Sequence, residues 1–249
     1  MLSISIVSHG HGELLSFLLE DIASFVLPRD AEILITFNIP DRISFSDGTY
    51  PFPLRFINNP SPKGFGANHN AAFRLSKGDH FCVMNPDIRL SSDPFPMLLK
   101  EMERNNGAII SPAVMSPMGE CEDSVRHFPT LFSLARKLLL GHDGSYPLLI
   151  GSETFTAEWV AGMFMLFRAE SFERLGGFDE DYFLYYEDVD ICARLWRFGD
   201  RVLACPKAQV IHDARRSSRH DLRFMRWHLT SMARYFWKHW GRLPRKSVS

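Results

Sequence analysis

Six carboxylates lie among aromatic residues between Phe178 and Gly199, in the stretch FDEDYFLYYEDVDICARLWRFG. An ionised carboxylate that leaves water needs a partner, a metal ion or a proton, whereas aromatic side chains gain free energy by burial. Glu187 and Asp188 begin a predicted helix and could simply complement its dipole. Aromatic walls beside a carboxylate also raise its pKa and offer stacking faces to a sugar or a base. The stretch therefore favours a general base that acts on a hydroxyl group, with dipole complementation as the alternative.

A further carboxylate, Asp87, follows the apolar run that ends at Asn85. Asn-Pro pairs initiate turns, so Asp87 could do no more than cap the next segment. It could also hold a metal ion or a phosphate, because such ligands bind just beyond the ends of central parallel strands. His212 follows the last apolar run, where a single histidine is more often structural than a ligand.

A glycine-rich loop, NPSPKGFGANHNAAF, places Gly64 and Gly66 before a predicted helix. The spacing resembles a phosphate cradle, but a third glycine and a G-K-[ST] sequence are missing, so a tight loop at a helix start is equally compatible. Lys63 would add positive charge near the helix N-terminus, where anions are favoured.

The elements that must position these residues follow from the apolar spacing, because β-type runs alternate with segments of helical period. Predicted strands cover residues 2–8, 32–37, 54–59, 80–85, 107–111 and 159–167, and predicted helices cover 14–25, 67–76, 95–104, 131–141, 169–177 and 187–198. This alternation indicates βαβ units and a parallel sheet. Ligands should bind at the carboxyl ends of its strands, from His9, Asn38, Asn59 and Asn85 onward.

The composition indicates one domain, since the chain has 249 residues of which 45% are hydrophobic. The net charge is −1, but residues 212–249 carry ten Lys or Arg and two Asp, which attaches a basic tail of +8 to a body of −9. The four cysteines form no C-x-x-C pair, which favours a reducing compartment. The first residues resemble a strand rather than a signal peptide, and no apolar run is long enough to span a bilayer. We expect a soluble protein or one bound to a membrane surface.

The tail from Asp221 to Lys246 is predicted to form an amphipathic helix. Its apolar residues at helical spacing are Leu222, Met225, Leu229, Met232, Ala233, Phe236 and Trp240. We expect at least its first half to pack on the body, while Trp237, Trp240 and the basic residues suit an anionic membrane surface. Nucleic acid is not an expected partner, because the body is acidic and has no recognised binding motif.

The order of motifs along the chain resembles family-2 glycosyltransferases of the GT-A fold, most of all bacterial rhamnosyltransferases that extend lipid-linked O-antigen or related glycans. The motifs are ISIVSHG, KGFGANHN, MNPDIRL, WVAGMFMLFR, LGGFDEDYFLYYEDVDICARLWRFG and VIH, followed by the basic aromatic tail. The resemblance implies an α/β fold with a Rossmann-like mixed, mostly parallel sheet flanked by helices and a C-terminal amphipathic helix. It also implies a single domain, 1–249, in which residues 1–111 bind a nucleotide sugar, 112–211 bind the acceptor and 212–249 form the tail.

The same resemblance implies roles for the acids. Asp87 and His212 would bind Mg²⁺ or Mn²⁺ on the donor diphosphate, and the metal would offset charge on the leaving group. Asp188 would be the base of a single inverting displacement, with Glu187 as a helper or acceptor ligand. Arg194 would orient the acids. Independently of the resemblance, Arg194 stands four residues after Asp190, so the two could pair on the helix.

The implied binding residues form two sets. The nucleotide-sugar set comprises Ser8, Asn38, Lys63, Gly64, Gly66, Asn70, Asn85 and Asp87, and the acceptor set comprises Trp159, Gly162, Tyr186 and Glu187. The remaining acids of the aromatic stretch, Asp179, Glu180 and Asp181, are expected to be loop or solvent residues.

The resemblance further implies transfer of L-rhamnose from dTDP-L-rhamnose to a lipid-diphosphate-linked N-acetylglucosamine, at the cytoplasmic face of the inner membrane. One segment departs from the family pattern: TFNIPD retains Asn38, but Phe37 replaces Asp and Pro40 replaces Ser at a site that contacts the nucleoside. Base recognition is therefore expected to differ, by stacking. A different nucleotide sugar, or a non-catalytic glycan- or lipid-binding module, remains an alternative.

Overall fold

The computed structural model describes residues 1–26, 31–140, 144–213 and 222–244. Strands are β1 Leu2–Ser8, β2 Ala31–Phe37, β3 Leu54–Asn58, β4 His80–Met84, β5 Ile88–Arg89, β6 Gly107–Met115, β7 Val125–Arg126, β8 Phe155–Thr156, β9 Trp159–Val160, β10 Phe164–Arg168 and β11 Arg201–His212. Helices are α1 Gly12–Phe25, α2 Phe65–Phe73, α3 Phe95–Arg104, α4 Leu131–Leu140, α5 Ala169–Arg174, α6 Glu187–Arg197 and α7 Leu222–His239.

The main sheet is mixed and has the strand order β3-β2-β1-β4-β10-β6-β11-β5, with β8 also paired to β11. Strands β3, β2, β1 and β4 run parallel, as do β6 and β11, whereas β10 is antiparallel to both of its neighbours. The chain order reverses at β1, because β2 and β4 flank it on opposite sides. Such a reversal opens a crevice at the carboxyl ends of the strands, where ligands bind. The predicted fold class is confirmed.

Successive side chains of a strand point to opposite faces of the sheet, so alternate residues of the central strands belong to two hydrophobic cores, one on each face. On β4, Cys82 packs with residues of α1 and α3, whereas Phe81 and Val83 pack with residues of α5, α6 and α7. The sheet is therefore covered on both faces, and function is confined to its edges and to the loops at the strand ends.

The predicted strand 159–167 is wrong, because residues 161–163 separate β9 from β10. The Gly162 N–H donates to Asp188 and the Met163 carbonyl accepts from Asn85, so this backbone serves neighbouring segments instead of a continuous ladder. The strand predicted at 107–111 continues to Met115 in β6, where it pairs with β11.

Helix α7 does not pack as expected. Its buried residues, Ser231, Tyr235 and His239, lie in the second half, while the apolar residues of the first half, Leu222, Met225 and Leu229, are exposed. The buried face is chosen by partners rather than by apolar content, because Tyr235 packs on Tyr186 and His239 contacts Asp190. Among the described residues, no helix has the length and apolar character needed to cross a bilayer.

Candidate active site

Asp87 and His212 are 125 positions apart but meet where β5 pairs with β11. Asp87 immediately precedes β5, and His212, the last residue of β11, is in register with Ile88. His212 Nε2 lies 3.2 Å from Asp87 Oδ2, and His212 Nδ1 lies 2.7 Å from Glu122 Oε2. The antiparallel pairing of β5 with the end of β11 brings Asp87 to His212. Glu122, whose backbone N–H donates to the Val114 carbonyl of β6, completes a carboxylate–histidine–carboxylate chain.

The electrostatics of this chain suit a cation. Burial alone would lower the pKa of His212, but its contacts with Asp87 and Glu122 outweigh burial and raise that pKa to about 9. Asp87 Oδ1 is buried and has no hydrogen-bond partner. An orphaned carboxylate oxygen beside an imidazole nitrogen is a donor set that fits a divalent ion, and a carboxylate on the far ring nitrogen is the usual support for a ligating histidine.

Within the described residues, no group of three or more His, Cys, Asp or Glu side chains forms a complete metal cage. Mg²⁺ is commonly bound through one or two carboxylates together with substrate phosphates. Asp87 and His212 therefore fit a metal that binds with a phosphorylated ligand, rather than a permanently filled structural site.

Glu187 and Asp188 begin α6, directly after a strained turn. Tyr185 and Tyr186 have φ angles of 70° and 68°, which non-glycine residues rarely adopt. Each such residue costs on the order of 1–3 kcal/mol, and strain of this kind persists where the surrounding structure holds it. The turn aims the start of α6 at the adjacent cavity, which Tyr185, Tyr186, Glu187 and Asp188 all line.

The two acids are held differently. Asp188 accepts hydrogen bonds from the backbone N–H groups of Gly162 at 3.1 Å and Val189 at 2.8 Å, whereas Glu187 Oε2 is buried without a partner. Burial raises the pKa of Glu187 well above its ordinary value, and the charge of Asp188 raises it further. Burial also raises the pKa of Asp188, against its backbone hydrogen bonds. The geometry provides an oriented carboxylate next to a carboxyl group that favours its neutral form.

A cavity of about 310 Å³ lies over these acids, within the usual size range of small-molecule sites. Three of the predicted acceptor residues, Trp159, Tyr186 and Glu187, line it. The fourth, Gly162, is not among the lining residues. It contacts Asp188 through its backbone N–H, and an added Cβ would stand 3.1 Å from the Phe65 ring.

The connector 161–163 links the two groups of acids. Its Met163 carbonyl accepts the backbone N–H of Asn85 at 3.0 Å, and its Gly162 N–H donates to Asp188. The segment that carries Asp87 and the helix that carries Asp188 are therefore joined through one three-residue connector, at the end of β4 and the start of β10.

The ends of β1 and β2 bring other predicted donor residues together. Ser8 Oγ donates to Asp41 Oδ2 at 2.5 Å. The Asn38 side chain accepts from the Lys63 backbone N–H and donates to the Lys63 carbonyl, both at 2.8 Å, and so fixes the glycine-rich loop. Phe37 stacks on Phe56 with ring centroids 5.9 Å apart.

A second cavity, of about 500 Å³, opens beside this network. Its lining residues are Phe37, Ile39, Pro40, Asp41, Ile43, Phe56, Asn58 and Asn59. The aromatic ring that replaces the expected aspartate therefore borders a cavity that also contains a carboxylate.

The glycine loop and Asn70 have a packing role. An added Cβ at Gly64 would lie 2.7 Å from the Phe183 carbonyl oxygen, and one at Gly66 would lie 2.6 Å from the Phe178 Cβ. Asn70 donates to the Phe178 carbonyl and accepts from its N–H. These residues hold α2 against the loop that leads to α6, and the Asn70 amide is engaged there through both its nitrogen and its oxygen.

The acids upstream of Glu187 are not all solvent residues. Asp179 contacts Lys238 at 2.6 Å and Arg234 at 3.2 Å, so it anchors α7, and the exposed Asp181 also pairs with Arg234. Glu180 accepts from Asn70 at 3.0 Å. All three acids lie in the loop between α5 and α6, as expected, and Asp179 has the additional role of pairing with α7.

Arg194 pairs with Asp190, as their spacing allowed. Its Nε lies 2.8 Å from Asp190 Oδ2, and its other nitrogens donate to the carbonyls of Leu175 and Gly177. Arg194 therefore braces α6 against the preceding loop.

Three residues of these sites were missed by sequence reasoning: Asp41, Glu122 and Arg126. Asp41 lies within TFNIPD, whose departure from the family pattern was the available signal. Glu122 and Arg126 lie in a segment without periodicity. No spacing indicates that Glu122 reaches His212 or that Arg126 lines the cavity over Asp188.

Comparisons with known structures agree with this architecture. The crystal structure of GalNAc-T7 with UDP, GalNAc and Mn²⁺ matches at a TM-score of 0.69 and 15% identity, over 95% of this chain and 47% of that one. The mannosyltransferase PcManGT from Pyrobaculum calidifontis, in complex with GDP-Man and Mn²⁺, matches at 0.64 and 16%, over 95% of this chain and 63% of that one. The chain thus spans about half to two thirds of these structures, and it shares their GT-A fold.

Sequence comparisons extend the likeness. Rhamnosyltransferase WbbL of Escherichia coli K12 is 32% identical over 247 residues, which cover 94% of this chain and 92% of WbbL. The N-acetylglucosaminyl-diphospho-decaprenol L-rhamnosyltransferase of Mycobacterium tuberculosis is 29% identical over 57% of this chain and 50% of that protein. Residues 43–176 match the family described as Glycosyl transferase family 2. With more than half of its residues inside that match and a relative aligned over almost its whole length, the chain belongs to glycosyl transferase family 2.

Proposed function

We propose that this protein is an inverting, metal-dependent glycosyltransferase that moves L-rhamnose from dTDP-L-rhamnose to a lipid-diphosphate-linked N-acetylglucosamine, in the synthesis of a cell-surface polysaccharide. The names of the two rhamnosyltransferase relatives support the sugar, and the name of the mycobacterial one supports the acceptor. Residues 1–111 would bind the donor, 112–211 the acceptor, and 212–249 a membrane.

The observation that carries the proposal is the position of Asp188. Its carboxylate borders a sugar-sized cavity and is bonded to Gly162, whose neighbour Met163 holds the Asp87 segment. A base and a candidate metal site, joined through one connector, suit the direct displacement of a diphosphate by a hydroxyl group.

In this mechanism the acceptor hydroxyl donates its hydrogen bond to Asp188 and passes its proton there as its oxygen attacks the anomeric carbon. The backbone N–H of Gly162 fixes the carboxylate in place, and the neutral carboxyl of Glu187 holds a neighbouring hydroxyl of the acceptor sugar. Tyr186 and Trp159 shape the walls and exclude water from the reacting groups.

Asp87 and His212 would hold the divalent ion, Mg²⁺ or Mn²⁺, with Glu122 orienting the imidazole. When bound, the ion supplies positive charge that stabilises the departing diphosphate. The Mn²⁺ in the two similar structures supports this assignment.

The cavity of about 500 Å³ beside Phe37 is the proposed site of the donor base. Its stacked Phe37 and Phe56 rings offer an aromatic face, and Asp41 offers an acceptor for a base N–H or a ribose hydroxyl. Asp41 would then supply the carboxylate that Phe37 lacks.

The decisive experiment supplies dTDP-L-rhamnose and a lipid-diphosphate-linked N-acetylglucosamine with Mn²⁺ or Mg²⁺. We expect the acceptor to gain the mass of one deoxyhexose, and a chelator to abolish that gain because the diphosphate loses its counter-charge. A panel of other nucleotide sugars serves as the control. Transfer of a different sugar would replace the donor assignment, and full activity with chelator would contradict the metal role of Asp87 and His212.

The tail supports peripheral attachment to the cytoplasmic face of the inner membrane. Trp237 is 86% exposed and Trp240 is 70% exposed, and the tail carries a net charge of +8. Aromatic rings insert at the bilayer interface, while basic residues are attracted to anionic lipids.

We expect the full chain to sediment with vesicles that contain phosphatidylglycerol and much less with neutral phosphatidylcholine vesicles. Replacing both Trp237 and Trp240 by Ser should weaken binding by about 10-fold or more, since each ring loses burial in the interface. Phe198→Ser, at an exposed position after α6, is the matched control. Equal sedimentation of the double variant and the wild type would show that Trp237 and Trp240 do not attach the protein to the vesicles.

A further inference from the structure

The cavity over Asp188 has a cationic side chain that the proposed chemistry does not use. Among its lining residues, all within the described part of the chain, Arg126 is the one Lys or Arg, and it shares the cavity with Glu187 and Asp188. Burial raises the pKa of the Asp188 carboxyl, and the charge of Arg126 opposes that rise, so the guanidinium acts electrostatically on the reacting end of the cavity.

Arg126 is held in a fixed orientation by two neighbours. It pairs in register with Trp159 across β7 and β9, and its guanidinium carbon lies 5.8 Å from the centre of the Trp159 ring. Its Nη1 lies 3.1 Å from Asp123 Oδ2, and the side chain is 22% exposed. A guanidinium that is stacked on an indole and still open to a cavity is oriented before any ligand arrives.

Two histidines from separate elements line the same cavity. His127 follows β7, stacks on Tyr146 at 3.9 Å and lies 3.0 Å from Glu158. His228 comes from α7 and packs its ring edge-on against Tyr186, at 5.5 Å. Imidazole N–H groups donate hydrogen bonds, so Arg126 and the two histidines form a donor-rich wall beside two acids.

This arrangement contains more hydrogen-bond donors, and one more positive charge, than a wholly neutral acceptor needs. A neutral sugar needs balanced donors and acceptors, which Glu187, Asp188 and the aromatic rings could supply. A planar guanidinium matches phosphate oxygens through paired hydrogen bonds, and its charge offsets the repulsion that the acids exert on an anion. In a sugar that is linked through a phosphate, the phosphate and the hydroxyl group that faces Asp188 are separated by the width of one sugar ring.

We propose that Arg126, with ring N–H groups of His127 and His228, binds a phosphate group of the acceptor in the cavity over Asp188. The proposal rests on the proposed function and names the residues that would recognise the phosphate of its acceptor. The other possible source of phosphate is the nucleotide donor, whose diphosphate is assigned to Asp87 and His212 across the connector 161–163.

The test measures binding to the full chain by calorimetry with two probes. One is N-acetylglucosamine joined through a diphosphate to a short alkyl chain, and the other is the same alkyl N-acetylglucosaminide without phosphate. The variant is Arg126→Met, which keeps the side-chain length and removes the charge. Arg126→Lys keeps the charge but not the paired donors, and Arg104→Met changes an arginine of α3 that is 66% exposed and does not line the cavity. Binding of dTDP with Mn²⁺ reports the donor site.

We expect wild type and Arg104→Met to bind the diphosphate probe about 10- to 100-fold more tightly than the neutral probe, as a charge-assisted contact allows. Arg126→Met should bring this ratio close to one and leave the affinities for the neutral probe and dTDP unchanged, with Arg126→Lys in between. Affinity for the neutral probe also reports whether the variant is folded.

Two results would overturn the phosphate subsite: equal affinities of the wild type for the two probes, or an affinity ratio in Arg126→Met that is unchanged from the wild type, including the case in which both affinities fall equally. Loss of dTDP binding in that variant would assign Arg126 to the donor instead. Failure of the proposed function would be seen differently, as absent rhamnose transfer or absent dTDP binding by the wild type. In either case the ratio of the affinities for the two probes can still be measured.

Discussion

Asp188→Asn is expected to lower the rate of sugar transfer by about 10²- to 10⁴-fold, the usual contribution of a general base. Asparagine has nearly the same shape and can still accept the Gly162 N–H, so the variant should fold and bind donor normally. The measurement is kcat for nucleoside diphosphate release with acceptor present, together with donor affinity. Near-normal turnover would exclude Asp188 as the base.

The matched control is Asp181→Asn, which removes a carboxylate from the same acidic stretch at a position whose side chain is 70% exposed. Its transfer rate should stay close to that of the wild type. The pH profile adds an independent check: the base acts only when ionised, and burial raises the pKa of Asp188. The rate should therefore fall as pH drops through a value above 3.8, the ordinary pKa of an aspartate.

Asp190→Asn is expected to destabilise the protein more than any surface substitution. Asp190 is fully buried and contacts Arg194 at 2.8 Å, Lys238 at 2.7 Å and His239 at 2.8 Å, so it joins α6 to α7. Removing one partner of a buried ion pair leaves the others uncompensated and costs about 3–5 kcal/mol. For a chain of this length, that free energy lowers Tm by roughly 6–20 °C.

The control is again Asp181→Asn, because it also removes a partner of α7 but at the surface, where an ion pair contributes about 1 kcal/mol or less. Thermal unfolding of both variants, followed by circular dichroism, separates the two cases. A Tm for Asp190→Asn equal to that of the control would show that the buried cluster is not what holds α7 to the body.

The contribution of Asp190 and its three partners to stability is expected to depend on pH. Burial would raise the pKa of Asp190, but the hydrogen bond from His239 and the charges of Arg194 and Lys238 outweigh it and lower the pKa from 3.8 to about 2. A depressed carboxyl pKa stabilises the folded state above the ordinary pKa, and that contribution is lost as pH falls through the folded value. The stability difference between wild type and Asp190→Asn should therefore narrow from about pH 4 to about pH 2.

The sequence alone determined the layered architecture and the identity of the main acids. Apolar runs with periods of two and 3.6 reveal strands and helices because each element must turn one face to a core, and this signal located β1, β4 and α6. Polar residues that end such runs stand where a parallel sheet binds ligands, which made Asp87 a candidate. The metal role of Asp87 and His212 came from the family resemblance. An acid-rich stretch inside aromatic surface indicated a functional carboxylate there, because unpartnered carboxylates are costly to bury. The choice of Asp188 as the base came from the family resemblance.

The tertiary structure alone decided which distant residues meet. Strand periodicity does not specify a pairing partner, so only the β5–β11 register places His212 on Asp87, and only the β6 region adds Glu122. The sequence likewise did not indicate which face of α7 packs on the body. That face carries polar residues such as His239, which contacts the buried Asp190, and a search for apolar periodicity does not detect polar residues. Arg126 entered the cavity over Asp188 for the same reason: its place depends on pairing with Trp159, which is a contact between segments and not a property of either one.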